Sequence, residues 1–367
     1  MPPEASSDPP DRVRTIYDVA ERAGVSIASV SRVLNGHRSR PDTQDRVLAA
    51  VRELGFVPSG TARALSGQLK EVAGVVFRRA ADTPDGVISD EDESLMFADV
   101  LNRGIETGAR ERGFDLLMSS VDVYDHSPQG RIASLAGKSD GLILHDKVLS
   151  AVGIARVARR TPVVTLAGTA TDASVNVRSD NAFGMRELTK HLVHEHGYDT
   201  LAYLAGHVDS PDNVTRTEAL ELVAAEAGAE VWTGEIWRGN YLASGGAAVI
   251  NRILERGLPL PSAIVCANDQ TAIGVMFTLA QHGIRVPEDV AVTGYDDIPV
   301  ARHLHSQLTT VRQPIKKLGA TAFDALYALI TGGTRPDPEI VLPTELVVRG
   351  SCGCPAQATR PTVVVPA

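Results

Sequence analysis

Nowhere in the 367 residues is there an apolar run of eighteen or more that would span a bilayer as a helix. The first thirty residues also lack the basic, apolar and small-residue order of a secretory signal, so the expected location is the cytoplasm, with no membrane partner. Cysteine is scarce. Cys266, Cys352 and Cys354 are too few and too unevenly placed for a disulfide framework, which fits a reducing compartment. No Walker loop, dinucleotide fingerprint or nucleophile elbow follows any strand-like segment, and no short-period repeat occurs; enzyme chemistry and a bound cofactor therefore find no support.

Positive charge is also lacking overall, at −9, but not everywhere. Residues 11–70 hold ten Arg and Lys against six Asp and Glu, a net of +4, whereas residues 71–367 hold 26 against 37, a net of −11. A small basic head on an acidic body suits a confined polyanion-binding surface, because phosphate attraction depends on local cation density. With 43% apolar residues the chain is globular, and its length suggests two or three folding units.

Residues 1–14, rich in proline and polar groups, read as a disordered arm. Thr15 can cap a helix with Ile16, Val19, Ala20 and Ala23 on one side, and Gly24 ends it. Ser26 is the next N-cap, for a helix reaching Leu34, with Asn35-Gly36 as its stop. Pro41 to Thr43 opens a third helix with Val47, Leu48, Val51 and Leu54 at helical spacing, closed by Gly55. Three short helices with a two-residue turn between the first two describe an all-α helix-turn-helix domain over 15–57. On the second helix Val30, Val33 and Leu34 share one side, while Ile27, Ala28, Ser31 and Arg32 share the other. Arg32 can reach a guanine edge or a phosphate, and Ile27 and Ala28 can meet thymine methyl groups.

Residues 58–70 hold a linker whose helix, about two turns long, is too short to persist alone, since helices below about 12 residues are marginal in water. From Val72 the pattern changes. Apolar runs at 72–77, 115–118, 141–145, 162–168, 200–206, 263–267 and 290–295 read as buried parallel strands. Amphipathic segments at 95–112, 181–196, 214–227 and 268–282 lie between them. The order predicts two successive α/β units, with a ligand site in the cleft at the carboxyl ends of their strands.

TIYDVAERAGVSIASVSRVLNG, RVLAAVRELGFVPSGTARALS, CANDQTAIGV, VPEDVAVTGYDDIPVA, LTTVRQP and LPTELVVR resemble the lac repressor (LacI/GalR) family of bacterial transcription regulators, in this order over residues 15–350. The resemblance implies a periplasmic-binding-protein-like α/β body of two Rossmann-like subdomains over 71–350, carrying effector binding and dimerisation, and a tail over 351–367. It implies a palindromic DNA operator, a homodimer and a small-molecule effector. It places Thr15, Tyr17, Ser26, Ile27, Ala28, Ser31, Arg32 and Asn35 toward DNA. It makes the linker a hinge helix with Ala62, Arg63 and Leu65 at the minor groove, Leu65 wedging a base step open; packing of Leu65 on the body is the plain alternative. Ser29 departs from the family's usual threonine, and Ile27-Ala28 fall on its variable base-reading positions, so no operator sequence transfers.

Asn268 and Asp296 lie just past strand ends and match polar effector contacts of the family, Arg216 matches its ligand-gripping arginine, and Tyr241 an aromatic position that stacks on a ligand ring. Asp146, Phe97 and Ser94 are further candidates from the first half. Plainer readings stand beside these: Asp296 capping a turn, Asn268 capping the helix from Asp269, Arg216 in a surface ion pair, Tyr241 merely packing. Glu221 stands where relatives carry glycine, which questions the geometry near Arg216. His191 and His194 fall on one helical face but have no cysteine or carboxylate set, and Cys352-Gly353-Cys354 has no partner pair, so no metal is expected. The expected function is a ligand-responsive repressor with a sugar or sugar-like effector. The alternatives are a sugar-binding protein of a transport system and an α/β enzyme.

Overall fold

The computed structural model describes residues 14–34, 38–56, 69–79, 96–122, 128–145, 147–168, 170–208 and 210–355. The chain divides into two compact units between Lys70 and Glu71. The first is built from α1 (Ile16–Ala23), α2 (Ile27–Leu34) and α3 (Pro41–Leu54). The Asp18 carboxylate accepts the Thr15 backbone N–H at 2.6 Å, which satisfies one donor that the start of a helix leaves open. Gly24 (φ 62°) and Gly55 (φ 59°) close α1 and α3 in the left-handed conformation. Val19, Ala20, Ala23, Val30, Val33, Val47 and Ala50 form the core. Leu48, expected among them, is 36% exposed, and Ala50 takes the inner position instead.

The second unit has two lobes. β1 (Val72–Arg79), β2 (Asp115–Asp122), β3 (Gly141–His145), β4 (Val163–Leu166), β5 (Val175–Ser179) and β11 (Glu339–Leu342) form a wholly parallel sheet in the order β11-β5-β4-β3-β1-β2. Its helices are α4 (Met96–Glu111), α5 (Pro128–Lys138), α6 (Ala151–Ala158) and α11 (Ile315–Thr331). Ile105 of α4 and Phe323 of α11 pack on one face, Ile132 of α5 and Ile154 of α6 on the other. With both faces covered, strands such as GLILH need no polar alternation.

The second lobe repeats the plan with β6 (Thr200–Leu204), β7 (Glu230–Trp232), β8 (Ala263–Cys266) and β9 (Ala291–Thr293) in the parallel order β7-β6-β8-β9. α7 (Asn181–Lys190) and α8 (Pro211–Ala227) cover one face, α9 (Ala243–Glu255) and α10 (Asp269–Gln281) the other. The chain passes between lobes after β5, again between β10 (Thr310–Arg312) and α11, and a third time between β11 and β12 (Glu345–Val347). Asp180 and Thr344 hold two crossings together, Thr344 Oγ1 donating to the Asp180 carbonyl at 2.9 Å.

The segment 181–196, read as one helix, is α-helical only to Lys190 and continues as a π turn over His191–Glu195. α-Helical spacing pairs His191 with His194; the wider turn sets His191 beside His196 instead and leaves His194 exposed. Residues 350–352, at the start of the expected tail, form a 3-10 turn with Ser351 and Cys352 buried.

Candidate functional site

On the first unit, α2 presents Ile27 (41% exposed), Ala28 and Arg32 to solvent, with Ser31 half-buried. Burial of Val30 and Val33 against α1 and α3 fixes this outward face. Ser26 is the cap, its Oγ accepting the Ser29 N–H at 3.2 Å. The cations divide in two. Arg22 pairs with Glu53 at 2.5 Å, and Arg46 donates to the Ala23 carbonyl, so these tie the helices together. Arg32 has no such partner among the described residues, and Arg38 and Arg40 are exposed beside it in the chain. Tyr17 is 67% exposed and Thr15 half-buried. A helix with a small, methyl-rich and arginine-bearing face fits the major groove. Asn35, Ala62, Arg63 and Leu65 lie outside the described residues.

On the second unit, the carboxyl ends of both sheets enclose a cavity of about 300 Å³. Phe97, Arg216, Tyr241, Asn268 and Asp296 all line it. Ser94 and Asp146 lie outside the described residues. The first lobe supplies apolar wall from Phe97, Leu101, Leu166 and Val177, and the second supplies most of the polar groups.

Most of those polar groups are already held. Arg216, 3% exposed, donates from Nε to Asn181 Oδ1 at 2.8 Å and from Nη1 to the Ala267 carbonyl at 2.6 Å; its guanidinium lies 3.7 Å from the Tyr295 ring centre. It is no surface ion pair. Its carboxylate neighbour Asp212 sits 3.7 Å away and accepts from Asn181 Nδ2 at 2.7 Å. Asn268 does cap α10, accepting the Thr271 N–H at 3.0 Å, and also donates to the Tyr241 carbonyl at 2.9 Å. Asp296 accepts from Gln313 Nε2 at 2.6 Å. Glu221, on the exposed side of α8, leaves the Arg216 contacts undisturbed.

Burial dominates the electrostatics. It raises the carboxyls of Asp212 and Asp296 above the usual range, Asp269 adding to the second, and pushes Asp269 up to about 6. Burial likewise lowers the His145 imidazole to about 4. Backbone strain gathers here: Ala167, Tyr241 and Asp296 line the cavity with φ of 54°, 68° and 127°. The Tyr241 ring lies across Gly206 and edge-on to His207, with centroids 5.5 Å apart. A Cβ on Gly206 would fall 2.1 Å from that ring, so only glycine admits it.

Sequence reading missed Arg78, His145, His207, Ser210 and Gln313 as lining residues. Arg78 and His145 sit at the carboxyl ends of β1 and β3, and His207 just beyond β6. The strand-end rule that singled out Asn268 would have found these three; nothing local marks Gln313, which belongs to a crossing.

The chain matches the family model described as bacterial regulatory proteins, lacI family, over residues 15–59, and the periplasmic binding protein-like domain over residues 189–352. It is 32% identical over 352 residues to the HTH-type transcriptional regulator CelR of Thermobifida fusca, covering 92% of this chain and 98% of that protein. It is 29% identical over 345 residues to the HTH-type transcriptional repressor PurR of Haemophilus influenzae (strain PittEE), with the same coverage. A solved lac repressor dimer bound to operator and the anti-inducer ONPF has a TM-score of 0.78 at 27% identity, covering 93% of this chain and 99% of that one. A complex of the transcriptional regulator CelR with cellobiose has a TM-score of 0.65 at 28% identity, covering 92% and 99%.

Proposed function

Since the chain belongs to the lacI family of bacterial regulatory proteins, we propose that it is a cytoplasmic, ligand-responsive transcriptional repressor. It binds a pseudo-palindromic operator as a homodimer and takes a sugar or sugar derivative in the cavity of its second unit. The observation that carries this reading is the outward face of α2, where Ile27, Ala28 and Arg32, the last without a partner among the described residues, stand on a buried core. A transport binding protein would have no use for such a face. For the effector, an apolar wall opposite fixed amide and carboxylate groups suits a polyhydroxylated ring, whose flat face is apolar and whose edge is polar. The cellobiose complex of the similar CelR regulator supports a sugar.

The linker couples the two sites in this proposal. Leu65, outside the described residues, is assigned the minor-groove wedge on sequence grounds, so Leu65→Ala weakens and unbends the operator complex while leaving effector affinity of the DNA-free protein unchanged. The test of the whole reading is selection of operator fragments by the full-length protein at low salt, followed by thermal-shift screening of sugars and nucleobases. A monomer that selects no duplex overturns the repressor assignment. Nucleobase binding without sugar binding overturns the effector class.

A further inference from the structure

Away from the cavity, the π turn after α7 and the last described residues of the chain bring together His191, His196, Cys352 and Cys354. Their ligand atoms all lie within 4.8 Å of one another. His191 Nε2 is 3.2 Å from His196 Nε2, 3.4 Å from Cys352 Sγ and 3.6 Å from Cys354 Sγ, and Cys354 Sγ is 3.5 Å from His196 Nε2. A tetrahedral zinc ion with Zn–N near 2.05 Å and Zn–S near 2.3 Å has edges of about 3.3 Å between nitrogens and about 3.5 Å between nitrogen and sulfur. All four distances fall on those edges.

Hydrogen bonding alone serves this cluster poorly. His191 Nε2 offers one in-plane position, either a proton or a lone pair, yet three polar atoms crowd it. A cation at the centre satisfies all of them at once. The surroundings fit thiolate and imidazole ligands. Thr309 Oγ1 donates to Cys352 Sγ at 3.1 Å, and Tyr198 stacks on His196 at 5.2 Å while its hydroxyl donates to the Cys352 carbonyl at 2.9 Å. Gly353 turns the chain between the two cysteines at φ 100°, where a Cβ would meet the Tyr198 hydroxyl at 3.0 Å. The π turn does the corresponding work for the histidines, because its i to i+5 repeat overlays residues five apart.

We propose that these four side chains form a structural zinc site that pins the segment Gly350–Cys354 to the end of α7. Two thiolates and two imidazoles in a closed tetrahedral set select zinc and leave no open position for catalysis. The site stands independently of the proposed effector, since none of its residues lines the cavity.

Full-length protein, kept reduced and stripped of metal, is titrated with zinc alone, and bound metal is measured after gel filtration; cobalt is then substituted. The proposal expects about one zinc per chain, tetrahedral cobalt bands with a thiolate charge-transfer band, and a zinc-dependent rise in melting temperature. Cys354→Ser and His196→Asn, both at half-buried positions, should keep the wild-type circular dichroism yet lose zinc affinity by more than about 100-fold, beyond what loss of an outer partner costs. His194→Asn, at an exposed neighbour, should bind zinc as wild type does. No zinc bound in excess metal, an octahedral cobalt spectrum, undiminished binding in both ligand variants, or a Cys352–Cys354 disulfide persisting under reductant would each overturn the site.

Discussion

The outer face of α2 and the wall of the cavity use their polar side chains in opposite ways. Arg32 stands without a partner among the described residues, whereas Arg216 holds two hydrogen bonds, an aromatic face and a carboxylate. The difference separates adaptability from pre-organisation. A side chain such as Arg32, unengaged among the described residues on a finished core, can be exchanged to change specificity, because the fold does not depend on it. In a network such as Asn181–Arg216–Asp212 every member satisfies another, so a change meant for the ligand reaches the fold first.

Arg216→Ala should have the largest effect of any change to these two regions. It strips Asn181 and Asp212 of their cation in a buried setting and should destabilise the second unit by about 3–5 kcal/mol, the range for removing one partner of a buried charge pair. Urea unfolding followed by tryptophan fluorescence reports on that unit, since Trp232 and Trp237 both lie in it. Undiminished stability would mean the network is decorative. Arg32→Ala should leave unfolding unchanged and cost about 1–3 kcal/mol of discrimination at one base position per half-site. Operator titrations over single-base variants check it; equal loss on every sequence would place Arg32 on phosphate only.

The same contrast explains what the sequence made legible. α2 and α3 were readable because apolar spacing, Ser26 and the glycine stops all act within one turn of chain. Strands such as 141–145 and 263–266 were readable because burial on both faces leaves an unbroken apolar run. β5, with Asn176 and Arg178 interrupting it, and the three-residue β10 and β12 carry no such run; pairing partners far along the chain define them. Asn268 and Asp296 were visible as strand-end residues, but Gln313, which holds Asp296, is brought by a crossing. The His/Cys cluster was hidden twice over. About 160 residues separate its halves, and helical periodicity chose His194 where the π turn supplies His196.

Three groups lining the cavity, the Ser179 hydroxyl, the Tyr241 hydroxyl and the His145 imidazole at Nε2, have no hydrogen-bond partner among the described residues, and of these His145 bears on pH. Burial lowers it to about 4 from the ordinary 6.5, so between those values the unfolded chain binds the proton better. Its contribution is therefore complete above pH 6.5 and lost as pH falls toward 4. Asp269, raised by burial from 3.8 to about 6, acts in the other direction: its contribution is complete below 3.8 and lost as pH rises toward 6. The two slopes oppose each other in the native protein. His145→Asn should unmask the Asp269 slope, gaining roughly 2 kcal/mol on wild type as pH drops from 6.5 to 4, with allowance for water reaching the cavity. Parallel stability curves for the two proteins would show that His145 titrates as freely folded as unfolded.

The smallest effect lies at Ser26, where the first unit departs from its own pattern: this DNA-side candidate is also engaged, as the cap of α2. Ser26→Ala removes the acceptor for the Ser29 N–H and should cost about 1 kcal/mol of stability in the first unit, whereas Ser26→Gly should cost only a few tenths, since glycine tolerates the cap backbone. Both variants delete the hydroxyl. If Ser26 matters to DNA only through the helix it starts, operator affinity follows stability and the glycine variant recovers most of it. If the hydroxyl itself meets phosphate, the two variants lose affinity equally despite their different stabilities. Thermal melting of the DNA-free protein against fluorescence anisotropy on one duplex separates these outcomes, and equal loss of affinity would move Ser26 from the scaffold to the contact surface beside Arg32.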